Sequence, residues 1–291
     1  MVDAGQRGFM QMAGKYGRVL LALAAAGVYG MSAACAAVPE PGLAPHKALY
    51  DFRLVEAETG AGISSIKGKI YFEQDDVCDA WTTNHRFTTE YRYSDAPAVV
   101  NTSRYAAFEA KDQGRFSFDS ERQENGERTE QLRGSVEISK EGAAKAVYSR
   151  PDGLAYDLSK NYFLPTAHTM EIIRHARAGD RFFSAVLFDG TDADGPVEIG
   201  AFIGKKTSAD EMKKISGEGE KIDASLLTPD AWHVRMAVFP LKDAGEIEPS
   251  YEMDMIMHDN GVVSHALIGY KTFKVEQTLT ALEKLPPKKC N

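Results

Sequence analysis

The stretch Arg86-Phe87-Thr88-Thr89-Glu90-Tyr91-Arg92-Tyr93 alternates strictly. Phe87, Thr89, Tyr91 and Tyr93 share one side, and Arg86, Thr88, Glu90 and Arg92 share the other. A period of two belongs to a strand with one face on a core and one in water. Working outward, the same period recurs. Ala48, Tyr50, Phe52 and Leu54 alternate with Leu49, Asp51 and Arg53, and Ile70 and Phe72 alternate with Lys69, Tyr71 and Glu73. Tyr105–Glu109, Arg115–Glu121, Ser135–Ile138, Lys145–Tyr148, Trp232–Phe239 and Tyr251–Met257 repeat it, and a long β-branched and aromatic stretch runs from Val262 to Thr280. Turn chemistry separates these runs at Asn125-Gly126, Pro151-Asp152-Gly153, Asp194-Gly195 and Asn260-Gly261. The pattern predicts about a dozen strands, mostly joined as hairpins.

One segment breaks the period. Pro165 suits a first helical position and Gly179 a C-terminal stop, with Ile172, Ile173 and Ala176 as an apolar face between them. This predicts the main α-helix over about 165–178. A capping-box pattern, Ser208-x-x-Glu211, predicts a shorter helix within a polar insertion near 205–231. The fold class is therefore all-β dominated, a curled sheet or a sandwich with one helix inside or across it. Phe182–Phe188 is the longest apolar run after the N-terminus and reads as a buried strand.

At the N-terminus, Lys15 and Arg18 precede the apolar run Val19–Ala26, followed by small residues to Ala37 and then Val38-Pro39-Glu40-Pro41. This order predicts a cleaved secretory signal peptide over 1–36, cut after Ala36 or Ala37, with one domain over 37–291. An uncleaved membrane anchor and lipidation of Cys35 are the alternatives; the run is Ala/Gly-rich, and Ser32 stands where a lipobox carries Leu. Met10 and Met12 are alternative starts. The whole chain of 291 residues carries a net charge of −8; without 1–36 it has 31 basic and 41 acidic residues, net −10. An acidic chain without a dense basic patch excludes nucleic acid as a natural partner. The mature part holds no run long enough for a membrane helix.

With Cys35 removed, Cys78 and Cys290 remain, and an exported chain should oxidise such a pair. Neither has the companion Cys/His spacing of a zinc site.

The chain carries no G-x-S-x-G elbow, H-E-x-x-H, P-loop or dinucleotide fingerprint. On the helix, His168, Glu171 and His175 fall at i, i+3 and i+7. Two imidazoles and a carboxylate can hold a metal or exchange protons, but two turns separate the histidines by about 10 Å. Beside an apolar stripe such histidines more often bond to a neighbouring backbone. His258 and His265 flank Asn260-Gly261, with Asp254 near; a two-residue loop would put both on one face, either as a weak cation site or as a solvated hairpin. Asp189–Gly195 resembles a calcium loop, but Gly190 and Ala201 stand where ligands belong, so a polar hairpin turn is expected. Met253, Met255 and Met257 line one strand face, as core packing or as an adaptable groove. Asn101-Thr102-Ser103 is a formal glycosylation sequon.

Five separated segments resemble one family. They are Pro45-His46-Lys47-Ala48-Leu49-Tyr50-Asp51, Val77-Cys78-Asp79-Ala80-Trp81-Thr82-Thr83, Phe163-Leu164-Pro165-Thr166-Ala167-His168-Thr169, Glu248-Pro249-Ser250-Tyr251, and Asp259-Asn260-Gly261-Val262 with the terminal Cys290. Together they resemble the EipB-like envelope-integrity proteins of alphaproteobacteria, first catalogued as a domain of unknown function. The resemblance implies a periplasmic β-spiral, an incompletely closed barrel with the helix against its inner side, distantly similar to lipoprotein carriers. It implies a Cys78–Cys290 disulfide, no enzymatic activity, and a periplasmic tetratricopeptide-repeat protein as partner; no cofactor and no metal are expected from the residues themselves. The first functional expectation is a lipid, acylated protein or peptide bound in the concavity. A scaffold acting through its outer surface or sheet edges is the alternative, and a secreted hydrolase using the helix a weaker one.

Overall fold

Alternation along the strands is realised as a single sheet curled so that its apolar face turns inward. The computed structural model describes residues 42–139, 143–208, 210–212, 221–241 and 248–290; the expected signal peptide lies outside them. The first half of the sheet is β1 (His46–Ala57), β2 (Ile63–Asp76), β3 (Ala80–Tyr93), β4 (Val99–Ala110), β5 (Phe116–Glu124), β6 (Glu127–Ile138), β7 (Ala144–Arg150) and β8 (Ala155–Leu158). Next come β9 (Tyr162–Phe163) and helix α1 (Pro165–Ala178). The second half is β10 (Phe182–Leu187), β11 (Val197–Lys206), β12 (Ala231–Pro240), β13 (Tyr251–His258), β14 (Val263–Gly269) and β15 (Phe273–Lys284).

Two antiparallel meanders are joined through the pairing of the first and last described strands. The order is β8-β7-β6-β5-β4-β3-β2-β1-β15-β14-β13-β12-β11-β10-β9. β1 pairs with β15 from His46↔Lys284 to Ala57↔Phe273. The two outermost strands, β8 and β9, are neighbours in sequence but not in hydrogen bonding, so the curled sheet is a nearly closed barrel with one unsealed seam. This is the expected open β-spiral. β8 and β9 were missed in the sequence because four and two residues are too short to display a period.

The helix keeps its expected bounds. Its N-cap, Leu164, offers no capping side chain, and Gly179 ends it at φ 81°, with the N–H groups of Gly179 and Asp180 donating to Ala176 O and His175 O. Ile172, Ile173 and Ala176 pack against Ala201, Ile203, Trp232, Val234, Met255, Met257 and Ala266 on the inner face of β11–β14. Burying each isoleucine contributes roughly 1.5–3 kcal/mol.

Three sequence expectations are corrected. Phe182–Leu187 is not buried on both faces: Phe183 turns into the core, while Phe182 is 65% exposed, because β10 stands next to the seam. The Asn260-Gly261 connection spans three residues, since His258 N–H donates to Val262 O at 2.8 Å and Gly261 N–H to His258 O at 3.0 Å. The segment 205–231 is only partly a polar loop. Ser208 and Glu211 form the expected capping box at 2.9–3.3 Å, but Ile222 pairs with Leu282 and Leu226 is buried.

Candidate functional site

The concavity of the sheet is where a ligand was expected, and several inserted segments pack against its inner face. The first is α1. In place of a local cap, its N-terminus has Glu109, projecting from β4: the carboxylate accepts the N–H groups of Thr166 and Ala167, both at 2.8 Å. Gln74 from β2 donates to Thr166 Oγ1 at 3.3 Å. Burial pushes the Glu109 carboxyl upward, opposed by these backbone donors. A carboxylate at a helix N-terminus satisfies orphan N–H groups and meets the positive end of the helix dipole.

The second insert is the β10–β11 connection. Phe188 is fully buried with Phe116, Phe118 and Tyr148. Tyr105 donates its hydroxyl to Asp189 O at 2.8 Å, Tyr148 to Asp192 O at 3.0 Å and Tyr156 to Ala193 O at 2.5 Å, while Arg122 donates to Thr191 O at 2.8 Å. Gly190, at φ +70°, lies flat on the Phe118 ring. The calcium-like motif is therefore the expected polar hairpin connection, between β10 and β11, and its carbonyls are held by side chains of the opposite half-sheet. Two further connections, β11–β12 and β13–β14, bring Leu226 and Val262 against Tyr50, Ile66, Ile70 and Leu279.

The residues singled out on α1 take different partners. His168 is buried between the Phe163 and Phe183 rings, and burial pushes it down to about 4. Its Nε2 has no protein partner. Glu171 is held by Arg174, with Nε to Oε2 at 2.9 Å, and that hydrogen bond keeps its carboxyl below the usual range. His175 stacks on Phe183 at 4.6 Å and bonds Asp180 at 2.7 Å, with Glu171 at 3.5 Å. Glu171 and His175 thus meet, while His168 points into the aromatic packing. Among the described residues, no group of three or more His, Cys, Asp or Glu side chains is disposed to hold a metal ion.

The other pairs separate. His258 is fully buried, its ring bonded to Thr228 O at 2.9 Å and Ser264 Oγ at 3.1 Å, which corrects the solvated-hairpin expectation. His265 bonds Glu276 at 3.0 Å, and Asp254 accepts from Arg235 at 2.9 Å. Met255 and Met257 are buried in the core that α1 covers, with Met253 packed at its margin. Cys78 and Cys290 are disulfide-bonded across 212 residues of sequence, with Cα atoms 5.6 Å apart.

Open surface lies outside. A hollow of about 950 Å³ on β3–β7 is lined by the outward side chains of Thr82, Asn84, Ser117, Asp119, Arg133 and Ser135. No described helix is long and apolar enough to cross a membrane. Glu109 and the three tyrosines escaped the sequence reading because each acts on a segment remote in the chain. Only the positions of the tyrosines on inward faces hinted at them.

The profile of the EipB-like family matches residues 37–286. The chain belongs to the EipB-like family. It is similar to the cell envelope integrity protein EipB of Brucella abortus (strain 2308), 28% identical over 275 residues that cover 92% of this chain and 95% of that one. It is also similar to a crystal structure from Brucella abortus described as a β-barrel-like protein of a domain of unknown function. There the TM-score is 0.73 at 28% identity, covering 84% of this chain and 99% of that chain. Neither relative is described as an enzyme. In this EipB-like chain, the seam, the inner helix and the Cys78–Cys290 bond agree with what the family resemblance implied.

Proposed function

We propose that this chain is a non-enzymatic periplasmic protein that maintains cell-envelope integrity through protein contacts on its outer surface or sheet edges. In this reading residues 1–36 are a removed signal peptide and 37–291 fold as one domain. The observation that carries it is the occupied concavity: α1, the 188–195 loop and the Leu226 and Val262 contacts fill the inner face with packed side chains. A carrier needs an apolar cavity that its cargo can enter. His168, Glu171, His175 and the Met253–Met257 row then act as packing and as anchors of the helix. The lipid, acyl or peptide ligand of a carrier becomes the second reading. A periplasmic tetratricopeptide-repeat protein is the partner that the family resemblance suggests.

Mass spectrometry of the mature protein purified from the periplasm, intact and after organic extraction, tests this. The expected mass is the polypeptide from residue 37 or 38 with one disulfide and no extractable lipid. A photoreactive residue in place of Ser117 should capture an envelope protein in living cells. Stoichiometric phospholipid or acylated peptide in the extract would overturn the outer-surface reading in favour of the carrier.

A further inference from the structure

Beside the seam, β10 has an outer hydrogen-bonding edge that is largely uncovered among the described residues. β10 pairs with β11 along its whole length, from Phe182↔Phe202 to Leu187↔Val197. On its other side β9 pairs only with Val186 and Leu187. Arg181 O accepts from Ile203 N–H at 3.0 Å, so Arg181, Phe183 and Ala185 direct their backbone groups toward β11. Phe182 and Ser184 therefore direct theirs away from it, where no described strand lies opposite. Both residues are exposed.

The face above this edge carries two exposed aromatics, with Arg181 and Lys160 toward its ends and Glu198, opposite Val186, accepting from Ser184 Oγ at 3.0 Å. Phe182 and Phe202 stand opposite each other on the outer face, 65% and 49% exposed, the two most exposed large hydrophobic side chains of the described residues. Arg181 lies over the Phe202 ring at 5.2 Å. Lys160 sits in the turn just before Tyr162, at the β9 end of the gap. Neither Arg181 nor Lys160 takes an ion pair among the described residues, in a chain that is otherwise acidic. An edge meant only to repel other strands carries charge in place of exposed aromatics.

We infer that the open edge of β10 at Phe182–Ala185 receives an extended peptide segment of a partner protein by strand addition. Phe182 and Phe202 contact an apolar side chain of that segment, and Arg181 and Lys160 contact acidic residues at its two ends. Main-chain bonds to Phe182 and Ser184 supply affinity and the flanking charges supply selectivity. This rests on the outer-surface reading and gives it a place and a partner chemistry.

The probe is a fluorescent hexapeptide with Asp at both ends and alternating Val and Thr between, compared with the same peptide bearing Lys at both ends. By anisotropy on the full mature chain, the acidic peptide is expected to bind at least about tenfold more tightly. Ser184→Pro removes the N–H that points off the edge while leaving the β11 ladder intact, and should abolish binding at an unchanged melting temperature. Arg181→Glu with Lys160→Glu should reverse the peptide preference, which keeps the test valid should the proline variant fold poorly. Equal binding of the two peptides, or binding indifferent to both sets of substitutions, would overturn the proposal. So would a wild-type dimer that Ser184→Pro dissociates, since a second copy would then occupy the edge. Absent peptide binding with a lipid-free extract removes the edge proposal and leaves the outer-surface reading standing. Lipid in the extract removes that reading itself.

Discussion

Glu109 on β4 caps α1 from far away in the chain, its Oε2 accepting the N–H of Thr166, 57 residues later, at 2.8 Å. The adjoining Ala167 N–H reaches Oε1 at the same distance. A carboxylate from the sheet thus does for α1 what its own N-cap, Leu164, is chemically unable to do. The helix is thereby fixed against β4 as well as against the core of β11–β14.

Replacing that carboxylate should loosen the helix. Glu109→Gln keeps one acceptor but turns an amide N–H₂ toward a helix N–H, and should cost about 1–3 kcal/mol. Glu109→Ala should cost more. Thermal unfolding followed by circular dichroism checks both; unchanged melting would mean that α1 is held by its apolar face alone.

Burial of neutral histidine predicts acid sensitivity. His168 is pushed down to about 4, whereas an unfolded imidazole titrates near 6.5. Between these values the unfolded chain binds the extra proton, so the stabilisation is complete above pH 6.5 and is lost as the pH falls toward 4. The loss from His168 is up to about 3 kcal/mol. His46, His85 and His258 shift in the same direction by burial. Glu109 and Asp189, raised by burial, act oppositely and lose their contribution as the pH rises through their folded values. Urea unfolding at pH 7 and pH 4.5 should show a smaller pH difference in His168→Phe than in the wild type. Identical differences would uncouple this ring from folding.

The inward loop gives a sharper packing test. A Cβ on Gly190 would stand 2.3 Å from Phe118 Cγ at a φ of +70°, so Gly190→Ala should cost more than about 2 kcal/mol. Gly60, at φ +91°, has nothing within 4 Å of its Cβ position. Gly60→Ala therefore carries only the backbone penalty, roughly 1 kcal/mol. Equal melting temperatures for the two variants would show that the loop can leave the Phe118 ring.

The C-terminal tail is tied down at several points. Leu285 N–H donates to Pro45 O at 2.9 Å, Lys288 pairs with Asp75 at 2.9 Å, and Cys290 is bonded to Cys78. Closing so long a loop restricts the unfolded chain by an amount worth up to about 5 kcal/mol. Cys290→Ser should lower the melting temperature under oxidising conditions, and added reductant should bring the wild type down to the variant. Equal stability in oxidant would contradict a structural role.

Local chemistry was legible in the sequence. The period of two announced the long strands, and Pro165 and Gly179 bounded α1 correctly, because both act within a few residues of where they stand. The five family segments pointed to the spiral. Alternation names the face of a strand but not its neighbour, so it was equally compatible with a sandwich. Only the tertiary structure pairs β1 with β15, leaves β8 and β9 apart, and exposes Phe182 beside that seam. It also decides that α1 and the loop after Phe188 pack against the inner face. Glu109 meets Thr166, Tyr148 meets Asp192, and His258 meets Thr228, each across a separation in sequence over which no pattern operates. Buried polar groups must find partners wherever the fold brings them, and that requirement acts through space rather than along the chain.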